Sequence, residues 1–319
     1  MRASLNFLKL VYPPISNQFG EWLSEEAEVR QFVKRSKLYM LAQRHEVLFQ
    51  NYRVDESSGK FCFDLSCGNT VASGLSVEIA ALQGDFEEEF EIQAGERSLK
   101  LLDCRDMKGE PVYWATTDKL LYDFWRRRIV IHGLDNVLPF TKYNLYYVGI
   151  SKEHDSFTRL FDSGHKSRLK ILSNETQLTS TARLTDELYI FLFDVEDLVI
   201  KVLEEDDFTL PASLDKKKLI ADAEKAFVSV LDCKYNEVKY KDYPAGRDGL
   251  AHEGLTRYGY VIDEDITFIA PDVEIRGAYG VFLRTRDPDM IFIAGDSVTL
   301  ESSTLPTGEG DAYRVARSI

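Results

Sequence analysis

Apolar positions along residues 1–125 follow both helical and strand periods, which predicts a mixed α/β region. Residues 24–50 carry apolar side chains at helix-compatible spacings after Ser24, whose hydroxyl suits a helix N-cap, so we predict a helix there. Residues 60–68 and 75–84 show the composition and alternation of strands.

Residues 111–133 predict a turn, then a helix, then a strand at residues 129–131. Before them, residues 85–92 mix acidic and aromatic side chains, as is typical of a solvated sheet edge. We place the first domain boundary near residue 125.

The middle region, residues 126–243, alternates predicted strands and helices. Residues 188–195 are almost wholly apolar, which favours a central strand covered on both faces. The remaining elements are a strand at 145–150, a helix at 155–161 that Asp155 caps, a helix at 165–174 and a helix at 217–232.

Short alternating segments between glycines and prolines predict β-hairpins in residues 244–319. The chain is therefore expected to form consecutive domains: an α/β accessory domain at 1–125, a central domain at 126–243 and a small β-rich domain at 244–319. The fold class predicted is α/β of the α+β type, with a small central mixed sheet flanked by helices.

The formal net charge of −14 argues against wholesale wrapping of nucleic acid. The charge is unevenly distributed, because residues 126–185 hold 10 basic and 5 acidic side chains, a net charge of +5. Such a basic face is compatible with binding one polyanion at one place.

The four cysteines are scattered without ligand spacing, which disfavours a zinc site and favours the reduced thiols of a cytosolic protein. No apolar run is long enough to span a membrane. Lys9 interrupts the N-terminal apolar segment and Pro13 closes it, so a signal peptide is not expected. We expect a soluble, cytoplasmic protein without a membrane partner.

Glu224 is the most informative position of the helix predicted at 217–232. At 100° per residue it lies about 40° from Ile220, at the edge of the apolar stripe. A carboxylate that leans toward an apolar face needs a metal ion, an arginine or a hydrogen-bond donor. The alternative is a glutamate that extends to solvent at the boundary.

Candidate residues follow one another in a fixed order along predicted strands and helices. Tyr147 and Gly149 lie on a strand, Arg159 lies on the next helix, and Glu224 lies on a later helix. Together the segments LYYVGIS, FTRLFDSGH and AEKAFVSVLDCKYN resemble the GIY-YIG nuclease superfamily over residues 129–243.

This resemblance implies a role for each matching residue. Tyr147 would hydrogen-bond the attacking water or the scissile phosphate, and Arg159 would stabilise the charge that builds on the phosphate. Glu224 would hold one divalent cation, Mg²⁺ or Mn²⁺. His165 would assist proton transfer, and Asn236 would anchor a loop or orient the site.

Each of these residues has a structural alternative: Tyr147 as core, Arg159 in a surface ion pair, His165 as a linker residue and Asn236 as a helix cap. A basic run beside them would track the nucleic-acid backbone or form a solvated face. Its members are Lys166, Arg168 and Lys170.

The sequence departs from the family at one point. The first tripeptide, expected about ten residues before the YVG segment of Tyr147, is absent there. The nearest preceding predicted strand makes His132 a possible substitute, with Tyr143 and Tyr146 as others. The general base is therefore unassigned.

The resemblance predicts a metal-dependent endonuclease that hydrolyses DNA phosphodiesters, with double-stranded DNA as its partner and a role suited to restriction or phage defence. A homodimer would allow both strands to be cut. Two alternatives stay open: a catalytically impaired module that binds DNA or regulates, and a protein-interaction scaffold, which the acidic flanks suggest.

Overall fold

The computed structural model of the 319-residue chain describes residues 2–83, 90–104, 111–202, 209, 212–246, 248–280 and 286–302. The chain divides into two compact units. Unit 1 contains Met1–Arg44, Lys142–Thr176 and Leu184–Ile319, and unit 2 contains His45–Thr141 and Gln177–Arg183. The predicted boundaries near residues 125 and 243 do not coincide with these units.

Strands and helices are numbered here along the described chain. The strands are β1 (Arg2–Leu10), β2 (Ile15–Ser16), β3 (Leu38–Gln43), β4 (Val47–Asp55), β5 (Lys60–Cys67), β6 (Thr70–Glu78), β7 (Phe90–Ala94), β8 (Ser98–Asp103), β9 (Pro111–Thr116), β10 (Lys142–Ile150), β11 (Leu188–Lys201), β12 (Arg257–Ile262), β13 (Thr267–Ala270), β14 (Val273–Arg276), β15 (Met290–Ala294) and β16 (Ser297–Glu301). The helices are α1 (Asn17–Leu23), α2 (Ala27–Val33), α3 (Ile79–Gln83), α4 (Thr117–Trp125), α5 (Lys166–Asn174), α6 (Leu184–Glu187) and α7 (Lys216–Leu231), with a 3-10 turn at Leu138–Phe140 and a π-helical turn at Thr158–Asp162. Across these described ranges, no helix combines the length and the apolarity needed to cross a membrane.

Unit 1 is built on a ten-stranded mixed sheet with the order β14-β13-β10-β3-β11-β1-β12-β15-β16, and β2 pairs with β11. The pairs β1–β12 and β10–β13 are parallel, and the other neighbours are antiparallel. The predicted α+β class is therefore confirmed in its general form. The sheet is larger than the small central one expected, because strands from both ends of the chain join it.

β3 lies in the middle of this sheet, between β10 and β11, and all six of its residues are buried. The helix predicted over residues 24–50 is wrong, because α2 ends at Val33 and two strands follow it. An apolar run that is buried on both faces has no strand period of its own, so its spacings also fit a helix.

Unit 2 contains two three-stranded antiparallel sheets, β4-β5-β6 and β7-β8-β9. It occupies the connection between β3 and β10, which are neighbouring antiparallel strands of unit 1. α4 confirms the predicted helix, whereas residues 129–131 form no strand and His132 makes only a single bridge with Ser76. Of the predicted acidic edge at 85–92, residues 85–89 lie outside the described residues.

α7 is fixed to the sheet through a buried carboxylate. Asp222 accepts hydrogen bonds from the hydroxyls of Tyr243 at 2.7 Å and Tyr260 at 2.8 Å, and from the backbone N–H of Leu250 at 2.7 Å. Burial raises the pKa of Asp222, and these donors offset part of that effect. Because Tyr260 lies on β12, the cluster holds α7 in position against the sheet.

Replacing Asp222 by alanine should strongly destabilise the protein. The change leaves the hydroxyls of Tyr243 and Tyr260 and the N–H of Leu250 buried without their acceptor. We expect the free energy of unfolding to fall by about 3 kcal/mol, measured by urea denaturation. Asp242→Asn, at an exposed position, is the matched control and should have no measurable effect. Equal stability of both variants would contradict this account of α7.

Candidate functional site

Two tyrosines from neighbouring strands form the centre of the candidate site. Tyr147 lies on β10 and Tyr39 lies on β3, with their rings stacked and the ring centroids 6.1 Å apart. The pairing of β10 with β3 is irregular between Leu145 and Tyr147, where β10 has one extra residue. Tyr146 and Tyr147 therefore pack against the same buried cluster although they are adjacent in sequence.

Gly149 explains why a glycine follows the tyrosine pair. A Cβ atom at this position would lie 2.4 Å from the Tyr147 ring and 2.8 Å from its hydroxyl. The Tyr147 side chain thus occupies the space above Gly149, and a larger residue there would displace it.

A directed hydrogen-bond chain connects the first turn of α5 through His165 to Tyr39. The backbone N–H of Arg168 donates to His165 Nδ1 at 3.0 Å, so that nitrogen carries no proton and Nε2 carries it. Nε2–H then donates to the hydroxyl oxygen of Tyr39 at 2.8 Å. Burial raises the pKa of the Tyr39 hydroxyl, and the neighbouring Tyr147 adds to this effect.

His165 is held neutral at the start of α5. Burial, together with the positive charges of Arg159 and Arg168, lowers the pKa of His165 to about 4. Its ring also contacts those of Tyr39 and Tyr147 edge to face, with centroids 5.5 Å and 5.1 Å away. In this geometry His165 positions the tyrosine pair, and its role in proton transfer stays a prediction.

Arg159 presents an exposed guanidinium on the π-helical turn, which Asp155 caps by accepting the N–H of Thr158 at 2.8 Å. Its charge contributes to lowering the pKa of Tyr147 and of His165, so the guanidinium lies on the side of the tyrosine cluster. Within the described chain Arg159 forms no salt bridge. It is therefore available to an anionic ligand.

Glu224 lies on α7 and is partly buried. Burial raises the pKa of its carboxyl group, although the Tyr240 hydroxyl donates to Oε2 at 3.3 Å. Positive charges of Lys152 and Lys225 act in the opposite direction. The negative charge of Glu224 in turn contributes to raising the pKa of Tyr147, so the carboxylate interacts with the cluster.

The Asn236 side chain is hydrogen-bonded to the backbone of β10, the strand that carries Tyr147. Its side-chain oxygen accepts the N–H of Val148 at 3.0 Å, and its amide donates to the Val148 carbonyl at 2.7 Å. Because Val148 follows Tyr147 directly, this pair of bonds fixes the backbone of the site. Asn236 thus holds the strand backbone next to Tyr147, and its part in a functional site stays a prediction.

The structure therefore gathers Tyr147, Arg159, His165 and Glu224 in unit 1, with Asn236 supporting them. His132 belongs to unit 2. There its imidazole lies 3.5 Å from Glu78. Its assignment as a substitute base stays a prediction.

The predicted backbone-tracking residues have three different environments. Arg168 is buried and its guanidinium bonds Asn17 at 2.6 Å, the Leu160 carbonyl at 3.1 Å and Glu21 at 2.6 Å, so the prediction for Arg168 is wrong. Lys170 pairs with Glu237 at 2.5 Å. Lys166 is exposed, and its role stays a prediction.

Sequence patterns missed Tyr39, which was assigned to a helix. The proposed substitutes Tyr143 and Tyr146 bond elsewhere: Arg44 donates to the Tyr143 hydroxyl at 2.9 Å, and Tyr146 donates to Gln43 at 2.6 Å. A local signal for Tyr39 exists in the apolar run Leu38–Gln43, which fits a buried strand as well as a helix.

A metal ion at this site would depend on Glu224. Among the described residues, no three His, Cys, Asp or Glu side chains are grouped to hold an ion. Mg²⁺ commonly binds one or two carboxylates and completes its shell with water and substrate phosphates. A single carboxylate whose pKa is raised by burial fits such an arrangement, because a cation would stabilise its charged form.

No protein-family model, curated protein or solved structure significantly matches this chain. The functional argument therefore rests on the motifs of the sequence and on the geometry of unit 1.

His165→Asn should change how stability depends on pH. Asparagine can still accept the Arg168 N–H as the cap of α5 but cannot be protonated. Since the folded pKa of about 4 lies below the ordinary histidine value of 6.5, the stability that depends on neutral His165 is present above pH 6.5 and is lost as the pH falls toward 4. Wild type should lose about 2 kcal/mol more between pH 7 and pH 5 than the variant does, measured by urea denaturation. Parallel losses would contradict a buried neutral His165.

Proposed function

We propose that unit 1 is a metal-dependent endonuclease of the GIY-YIG type that hydrolyses DNA phosphodiesters. The observation that carries the proposal is the gathering of Tyr39, Tyr147, Arg159 and Glu224, which come from four separate segments of the chain. These groups suit phosphoryl transfer, which needs a positioned nucleophile, a cation on the phosphate oxygens and charge neutralisation at the leaving oxygen.

Tyr39 takes the place of the first tyrosine of the family. The resemblance calls for a tyrosine-bearing strand beside the strand of Tyr147, and β3 is the antiparallel neighbour of β10. Unit 2 lies between these strands in sequence, which accounts for the missing tripeptide just before the YVG segment. Because of this insertion, Tyr39 and Tyr147 are much farther apart in the sequence than the resemblance predicts.

Tyr147 orients the attacking water or the scissile phosphate. Burial raises the pKa of Tyr147, and the negative charge of Glu224 adds to this effect, so the hydroxyl keeps its proton and acts as a hydrogen-bond donor. Neutralisation of the Glu224 charge would remove one of these effects. The base that takes the proton of the water stays unassigned.

Arg159 binds the phosphate at its exposed guanidinium and stabilises the charge of the transition state. Glu224 would hold Mg²⁺ or Mn²⁺, and such a cation supplies charge neutralisation at the leaving oxygen. His165 keeps Tyr39 oriented toward Tyr147 through its Nε2–H.

We propose double-stranded DNA as the substrate. The net charge of +5 over residues 126–185, which include Tyr147 and Arg159, favours a polyanion at this place in an otherwise acidic chain. Cutting both strands would be served by a homodimer, and an activity of this kind would suit restriction or phage defence.

The direct test is cleavage of supercoiled plasmid in the presence of Mg²⁺, on unmodified and modified DNA. Wild type should nick or linearise it, and Tyr147→Phe, Arg159→Ala and Glu224→Gln should each reduce the rate by at least about 100-fold. Glu237→Gln, an exposed carboxylate with a side-chain relative accessibility of 78%, is the control and should cleave like wild type.

The proposal fails if wild type and Glu224→Gln leave every substrate equally intact. Salt-sensitive binding of uncut DNA that survives Glu224→Ala but not Arg159→Ala would instead favour the impaired binding module. Absence of DNA binding at low salt would favour the protein-interaction scaffold.

Tyr39→Phe tests the tyrosine pair separately. The change removes the hydroxyl that accepts the Nε2–H of His165 beside Tyr147, so the tyrosine pair loses its fixed orientation and the rate should fall across the pH–rate profile. Cleavage near neutral pH should fall by roughly 10-fold or more. Tyr52→Phe, at an exposed position of unit 2, should leave rate and profile unchanged. A Tyr39→Phe profile identical to that of wild type would contradict the assignment.

A further inference from the structure

Unit 1 contains a cleft of about 900 Å³ with a strongly basic lining, here called the lysine cleft. Two acidic side chains, Glu153 and Asp248, also line it. Its lysines come from three segments of the chain and are Lys37, Lys152, Lys216, Lys217 and Lys218. A concave surface lined by charges of one sign concentrates ligands of the opposite sign.

The lysine cleft continues directly from the candidate site. Ile150, at the end of β10, lines the cleft, and its backbone contributes to lowering the pKa of Glu224. On the opposite wall, Ile220 lies one helical turn before Glu224 on α7. The charge of Lys152 contributes to lowering the pKa of Glu224, which places the ammonium group within its electrostatic reach.

Some of the charged groups in the cleft are already paired. Lys216 lies 2.7 Å from Asp194, Lys218 pairs with Glu253, and Asp248 pairs with Lys225. Lys37 donates to the His154 carbonyl at 2.5 Å.

Lys152 and Lys217 differ from these lysines. Both are exposed, and neither forms a salt bridge with the part of the chain that the structure describes. They are therefore the ammonium groups of the cleft that are available to a ligand.

The lysine side chains, rather than the end of α7, carry the positive character of the cleft. Asp215 caps α7 and accepts the N–H groups of Lys217 at 2.9 Å and Lys218 at 3.0 Å. These amides of the first turn are thus already hydrogen-bonded within the protein. The Lys217 ammonium remains exposed beside them.

We propose that the lysine cleft holds the DNA backbone beside the phosphate to be cut, with Lys152 and Lys217 each contacting one phosphate. This inference rests on the proposed function, because it takes the ligand of the neighbouring site to be DNA. Ammonium groups bind phosphates as point charges and do not read base sequence. The cleft therefore contributes affinity and position, without sequence selectivity.

The test is binding of a fluorescein-labelled 20-base-pair duplex to the full chain in EDTA, followed by fluorescence anisotropy across a series of NaCl concentrations. Without divalent cation, metal-dependent cutting cannot obscure binding. Lys152→Ala combined with Lys217→Ala should weaken binding at least tenfold at low salt. The slope of log Kobs against log salt should become shallower by about 2, since each lost phosphate contact accounts for about 0.9.

Lys142→Ala is the matched control, because Lys142 is also exposed but lies at the opposite end of β10 from Ile150. It should keep the affinity and the salt slope of wild type. Thermal unfolding of all variants should coincide, since the replaced side chains form no salt bridge with the described residues. The charge reversal Lys217→Glu should weaken binding more than Lys217→Ala.

A double variant with wild-type affinity and slope would overturn the cleft assignment, as would a wild type that does not bind the duplex. These outcomes are distinguishable from failure of the proposed function. Binding that depends on Lys152 and Lys217 in a protein that never cuts DNA would support the cleft and refute the endonuclease. Cleavage with normal binding in the double variant would do the reverse.

Discussion

The antiparallel pairing of β3 with β10 is the interaction on which the candidate site depends. The pairing places Tyr39 beside Tyr147 and directly opposite Gly149 on the neighbouring strand. The ring of Tyr147 packs over Gly149. The extra residue of β10 at Tyr146 turns two sequential tyrosines toward the same cluster. Asn236 then fixes the backbone at Val148 from outside the strand pair. Strand pairing thus determines the chemistry that this part of the sheet presents.

Burial and nearby charges together determine the pKa of Tyr147. Burial and Glu224 raise the pKa of Tyr147, and the positive charge of Arg159 offsets part of this rise. His165 is kept neutral by burial and by the arginine charges, so its single proton stays on Nε2 and points to Tyr39. A ligand that binds Arg159 or neutralises Glu224 would therefore change the acidity of Tyr147. Lys152, which lines the lysine cleft together with residues of α7, also acts on this cluster, because its positive charge contributes to lowering the pKa of Glu224.

Insertion of unit 2 between β3 and β10 separates Tyr39 from Tyr147 along the chain. A motif search expects the partner strand shortly before Tyr147, but the chain folds a separate unit there. The candidates that lie nearest in sequence have other roles: His132 bonds within unit 2, Tyr143 accepts from Arg44, and Tyr146 donates to Gln43. Distance along the chain was therefore a poor guide to distance in space. Arg168 was predicted to lie on the surface. Its guanidinium is buried and is hydrogen-bonded to Asn17, the Leu160 carbonyl and Glu21.

The sequence by itself determined the elements that have strong local signals. The apolar stripe of α7, the apolar run of β11 and the Asp155 cap before Arg159 are properties of a few neighbouring residues, so pattern analysis found them. Tertiary structure alone decided that Leu38–Gln43 is a strand, that its neighbours are β10 and β11, and that Tyr39 joins the site. The physical reason is that an apolar segment of six residues satisfies helix and strand spacings alike. Whether the segment forms a helix or a strand is decided by hydrogen bonds to the flanking strands, which lie far away in the chain.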